Sequence, residues 1–166
     1  MRTKLILIAL GVFALDRVVK MWTLANFALG EARPLIPGVI QLRYVRNTGV
    51  AFSFLADHQW ILMLIIPLML IGLGIALAKG VFPCPVQKIA LVAVMAGGFG
   101  NLLDRILYGH VVDMFEFLFM NFAVFNVADI FITIGAPVLF IAYVLGEWRK
   151  EKAIASPGAE EEAHDE

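Results

Sequence analysis

The sequence predicts an all-α membrane protein, a bundle of four transmembrane helices with a small β-sheet on its outer face. Three observations predict it. Of the 166 residues, 61% are hydrophobic and 16% charged, with a mean hydropathy of +0.85, far more apolar than a soluble domain. Four segments each approach the roughly 20 apolar residues needed to cross a hydrocarbon core about 30 Å thick. Between the first two, IQLRYV sets Ile40, Leu42 and Tyr44 against Gln41 and Arg43, the period-two mark of a half-exposed strand.

The first span covers 5–24. Its start, MRTK followed by LILIALGVFAL, has the basic and apolar regions of a signal peptide. The apolar run continues into DRVVKMW and further spans follow, so it reads as a retained helix. No cysteine directly follows it, so the chain is not itself expected to be lipidated. The outer loop 25–59 carries the strand, then Asn47-Thr48-Gly49 as turn residues before a second apolar stretch at 50–54. The second span, 60–78, is the cleanest, with Pro67 predicting a kink. The third covers 86–103. The connection 104–124 holds an aromatic stretch from Met114 to Phe119 suited to the interface, and the fourth span covers 125–146. Trp22, Trp60 and Trp148 fall near span ends, where amphipathic rings prefer to sit.

Basic residues outside the spans or at their ends divide as Arg2, Lys4, Lys79, Lys88, Arg149, Lys150 and Lys152 against Arg33, Arg43, Arg46 and Arg105. The excess places both termini in the cytoplasm and both long loops outside. Residues 1–150 therefore read as one membrane domain, and 151–166 as a disordered acidic cytoplasmic tail. A net charge of −1 argues against nucleic acid as a partner. The lone Cys84, between Pro83 and Pro85, allows no disulfide and reads as a passive loop residue.

The polar residues inside the spans carry the functional information. A charged residue at the centre of a membrane helix costs roughly 2.5–3.5 kcal/mol on insertion scales, so it needs a partner or a task. Asp16 and Lys20 are four apart, in the favourable order for an intrahelical pair. The alternative is that Lys20 snorkels to a lipid or substrate headgroup. Gly97, Asn101 and Arg105 recur every fourth residue as one stripe that should face protein. Gly97, Gly98 and Gly100 permit close helix approach, and Arg105 can hold a carboxylate or backbone carbonyls.

Asp113 follows the third span and Asp129 opens the fourth, so a short outer connection brings the two carboxyls within reach. A few Å apart, they could not both ionise easily and would share a proton. Such a pair suits peptide hydrolysis, the ionised carboxylate taking a proton from water while the protonated one hydrogen-bonds the scissile carbonyl. Two acids flanking any outer loop would share this spacing, so structural pairing stays open beside catalysis. No metal-ligand pattern surrounds His110, His58 and His164 read as surface residues, and Ser53 lacks a base and a G-x-S-x-G context. Two further classes stay open: a small transporter or proton relay using Asp16, Lys20, Asp113 and Asp129, and a scaffold whose acids pair with Arg105 and Lys20. Against the relay, the second span holds no ionisable residue.

Five stretches in order resemble bacterial lipoprotein signal peptidase, or signal peptidase II: LDRVVK, RNTGVAFS, GGFGNLLDR, GHVVD and FNVADIFITIG. The resemblance implies an aspartic endopeptidase of the bacterial cytoplasmic (inner) membrane that is blocked by the cyclic peptide globomycin. Its substrates would be prolipoproteins whose lipobox cysteine already carries diacylglycerol, cut immediately N-terminal to that cysteine. Carried over, Asp113 and Asp129 form the catalytic dyad. Asp16, Lys20, Asn47, Gly49, Ala51, Gly97, Asn101, Arg105, Phe125, Asn126 and Ala128 bind substrate or brace the site. The family also implies a β-cradle and a short loop helix on the outer face. The dyad itself requires no metal and no cofactor, membrane lipids are its surroundings, and an active monomer needs nothing further.

Overall fold

Helix ends in this chain follow local chemistry. Pro85 opens one helix at a position that needs no backbone N–H, and the Cys84 N–H before it donates to Gln87 Oε1 at 3.1 Å. Cys84 is thus an N-cap. The same helix stops at Gly109, whose φ of +72° a side chain would strain. The computed structural model describes residues 1–49 and 59–155. In order they form α1 (Arg2–Asn26), β1 (Ala32–Ile36), β2 (Ile40–Asn47), α2 (Gln59–Ala78), α3 (Pro85–Tyr108), β3 (Val111–Phe117) and α4 (Val127–Ala155).

The distribution of surface is inverted relative to a soluble protein. Phe140 and Trp60 are 68% and 65% exposed, whereas Asp104 is 0% and Lys20 1% exposed. Three helices, α2, α3 and 127–152 of α4, are long and apolar enough to cross a membrane. The 25-residue α1 is as long but carries Asp16, Arg17 and Lys20 in its second half. The third helix also runs past its expected end at 103, because Asp104 and Arg105 are buried by neighbours instead of leaving the helix.

At the centre lies α3, packed against α1, α2 and α4. Its glycines make this possible. A Cβ on Gly97 would stand 2.7 Å from the Ala128 carbonyl oxygen and 3.0 Å from Ile132 Cγ1, and one on Gly100 would stand 2.7 Å from Asp16 Oδ2. Gly97→Ala should therefore lower stability by about 1–3 kcal/mol, the range for overpacking, because backbone has to move. Gly72→Ala, with open space around it, is the control. Equal melting temperatures of the two variants in detergent would refute the close contact.

The strands form one antiparallel sheet in the order β1-β2-β3. The expected strand at 40–45 is β2. Part of the expected aromatic connection is a third strand, β3, whose first four residues are buried. A bulge between Leu42 and Val45 shifts the register so that Val45 lies opposite Asp113 and Asn47 opposite Val111. Phe27, Tyr44, Val112 and Met114 form the core that seats the sheet against α1. Neither connection shows the expected loop helix among the described residues. The stretch 50–54 with Ala51 and Ser53, His58, and the tail from 156 with His164 lie outside them.

Candidate active site

The start of α4 builds one side of the site. Asn126 is its N-cap: Oδ1 accepts the Asp129 N–H at 3.0 Å, while Asp129 Oδ2 accepts the Asn126 N–H at 3.1 Å. This reciprocal capping explains how an acid is tolerated at the head of an apolar helix, where the exposed N–H groups also favour negative charge. Just before it, the Phe125 backbone is stitched to β3, its N–H donating to the Phe115 carbonyl at 3.0 Å and its carbonyl accepting the Phe115 N–H at 2.8 Å. That pairing lays Asn126 beside Asp113.

Both oxygens of Asp113 accept amide hydrogens. Asn126 Nδ2 donates to Oδ1 at 2.6 Å, and Asn47 Nδ2, from the diagonal position across β2, donates to Oδ2 at 2.9 Å. Asn47 is fixed in turn, because its Oδ1 accepts the Gly49 N–H at 3.0 Å. The α3 helix supplies Asn101, whose Nδ2 donates to Asp129 Oδ1 at 2.7 Å and whose Oδ1 accepts from Asn126 Nδ2 at 3.1 Å. Asn126 thus touches Asp113, Asn101 and Asp129 at once. Asp113 is 1% exposed; burial, and then the charge of Asp129, push its carboxyl up from 3.8 to about 7. That shift favours a shared proton, and two carboxyls in different hydrogen-bond settings can act as base and acid.

A cavity of about 470 Å³ opens at Asp129; Asp113, which is buried, does not line it. Asn47, Asn101, Arg105 and Asp129 supply its polar wall, and Phe117 and Phe125 belong to the apolar remainder. Arg105 is buried and braces the wall, donating to the carbonyls of Asn101, at 3.2 Å, and Gly49. Of its two expected partners, backbone carbonyls are what it holds. Gly97 and Ala128 are buried where α3 meets α4.

Lys20 does not snorkel. Its Nζ lies 2.9 Å from Asp16 Oδ2, and Asp16 Oδ1 accepts the Ala128 N–H at 3.1 Å. The sequence reading missed two members of this group, Asp104 and Arg17, which pair with each other. Asp104 stands three residues beyond Asn101, one helical turn along the same face, and that spacing was the available signal. His110 lies outside the pair, and burial and Arg46 hold its imidazole below the usual value. Among the described residues, no group of three or more His, Cys, Asp or Glu side chains is placed to hold a metal ion.

The profile of the family described as Signal peptidase (SPase) II matches residues 8–145. Lipoprotein signal peptidases of Streptococcus pyogenes serotypes M2 and M1 are each 40% identical over 139 residues, covering 83% of this chain and 88% of theirs. Two solved bacterial membrane enzyme structures superpose on it. One has a TM-score of 0.84 at 29% identity, covering 89% of this chain and 92% of its own. The other has a TM-score of 0.77 at 30% identity, with coverage of 84% and 92%.

Proposed function

The chain belongs to the signal peptidase II family, and we propose that it is an aspartic endopeptidase removing signal peptides from diacylglyceryl-modified prolipoproteins, with Asp113 and Asp129 as its catalytic pair. The observation that carries this reading is the juxtaposition of the two carboxyls by Asn126, next to a cavity with one polar wall. The ionised carboxylate takes a proton from the attacking water while the protonated one donates to the scissile carbonyl. Collapse of the tetrahedral adduct then passes a proton to the leaving amine. Neither a metal nor a covalent nucleophile is needed.

In this reading α1 is a fourth span, with its charges turned toward α3. Both termini lie in the cytoplasm, and the sheet and the pair lie at the outer face of a bacterial cytoplasmic membrane. That depth suits the substrate: two acyl chains stay in the bilayer while the scissile bond sits near the headgroups, so the pair has to wait there. A single chain contains every group invoked. The buried ionisable groups Asp16, Lys20, Asp104, Arg105 and Asp113, with the half-buried Asp129, gather toward one end of the helices and α2 has none, which disfavours a relay across the membrane.

The test offers the purified chain, in detergent or lipid, two precursors that differ only in the diacylglyceryl group on the lipobox cysteine. The expected result is one cut immediately N-terminal to the modified cysteine, faster than any cut in the unmodified precursor. Equal rates would remove the lipid selectivity, and no cleavage of either would remove the peptidase reading.

A further inference from the structure

Behind the carboxyl pair lies a charged group that touches neither the cavity nor the solvent. Asp16, Lys20 and Asp104 are at most 1% exposed, and none lines the cavity. Lys20 Nζ meets three oxygens: Asp16 Oδ2 at 2.9 Å, Asp104 Oδ2 at 2.8 Å and Asn101 Oδ1 at 2.8 Å. It donates a hydrogen bond to Asn101 and forms ion pairs with the two carboxylates. Arg17 pairs with Asp104 and lies 3.9 Å from Asp16 Oδ2, which leaves two cations and two anions in balance.

The far sides of the two carboxylates are equally specific. Asp16 Oδ1 accepts the Ala128 N–H at 3.1 Å, and Asp104 Oδ2 accepts the Val112 N–H at 3.3 Å. Ala128 precedes Asp129, and Val112 precedes Asp113. Each buried carboxylate therefore holds the backbone N–H of the residue that precedes one member of the pair, and Lys20 ties the two clamps together. Its contact with Asn101 fixes that amide with Oδ1 toward the cation and Nδ2 toward Asp129. A buried ionic group of this kind is a poor way to gain stability, since well-packed apolar side chains of similar volume often do as well or better.

We propose that Lys20, with Asp16 and Asp104, is a positioning device that sets the separation and orientation of Asp113 and Asp129. The inference rests on the reading of those two as the catalytic pair. Lys20 acts through Asn101 and the two clamped peptides and never meets the substrate, so its loss alters turnover and leaves substrate binding alone. A misplacement near 1 Å lowers rate by about 100-fold.

The experiment is steady-state cleavage of the diacylglyceryl precursor by wild type, K20M, the charge-balanced K20M/D104N, D113N and D129N, with a melting temperature for each. The expected result for K20M is a kcat lower by about 100-fold at unchanged KM, with the same pattern in K20M/D104N although charge balance is restored. If K20M does not fold, the double variant carries the test. Wild-type kcat in either folded variant overturns the device, as does a loss expressed only in KM. Cleavage by folded D113N or D129N overturns the reading of the pair instead, so the two failures are distinct.

Discussion

Asp113→Asn and Asp129→Asn should each lose cleavage of a lipidated precursor by on the order of 1000-fold while the fold survives. An amide matches a carboxyl in size but cannot take a proton from water, and a positioned acid or base is worth roughly 100- to 10,000-fold. Retention of fold follows from what the replacements keep. In Asp129→Asn the side-chain carbonyl still accepts the Asn126 N–H that closes the head of α4, and in Asp113→Asn it still accepts from Asn126 Nδ2. Each then turns an NH₂ toward an amide donor, Asn101 Nδ2 in one case and Asn47 Nδ2 in the other, a local cost of about 1–3 kcal/mol. Turnover with a folding check measures both. Activity retained in either folded variant would remove that residue from the chemistry.

How much of this was legible depended on the range of the signal. Hydropathy is local, so α2 was placed almost to the residue, and the alternation of Ile40, Leu42 and Tyr44 found β2. The same locality ended the third span at 103: a window sees Asp104 and Arg105 as charges but not the Lys20, Arg17 and Gly49 that receive them. β3 escaped for a related reason. Val111 to Met114 are all buried, so no exposed face writes a period of two into VVDM. Asp16 and Lys20 betray each other at four residues' distance, whereas Asp104 is far away in sequence and only the fold makes it their partner. The residues that gather around Asn126 were named through the order of the motifs. Their hydrogen-bond roles, Asn126 above all, depend on Phe125 pairing with Phe115.

Between pH 4 and pH 8 the wild-type chain should lose about 4 kcal/mol of stability relative to Asp113→Asn. The Asp113 carboxyl moves from 3.8 to about 7, and each tenfold change in acidity corresponds to about 1.4 kcal/mol. The sign follows from proton counting. Between those values the folded chain keeps a proton that the unfolded chain has released, so rising pH favours unfolding until about pH 7, above which the difference is constant. The asparagine variant carries a fixed offset from the amide facing Asn47 and no such slope. Melting temperatures in detergent at pH 4, 6 and 8 should therefore converge or cross as pH rises, and parallel curves would show that Asp113 is not held protonated. In the proposed mechanism the same proton governs the rate. If it is the one donated to the scissile carbonyl, kcat/KM falls as pH rises through about 7, over the range where the stability curve flattens. In the proposed mechanism a carboxyl kept protonated near neutral pH weakens the fold there, and the slope with pH is the thermodynamic trace expected of it.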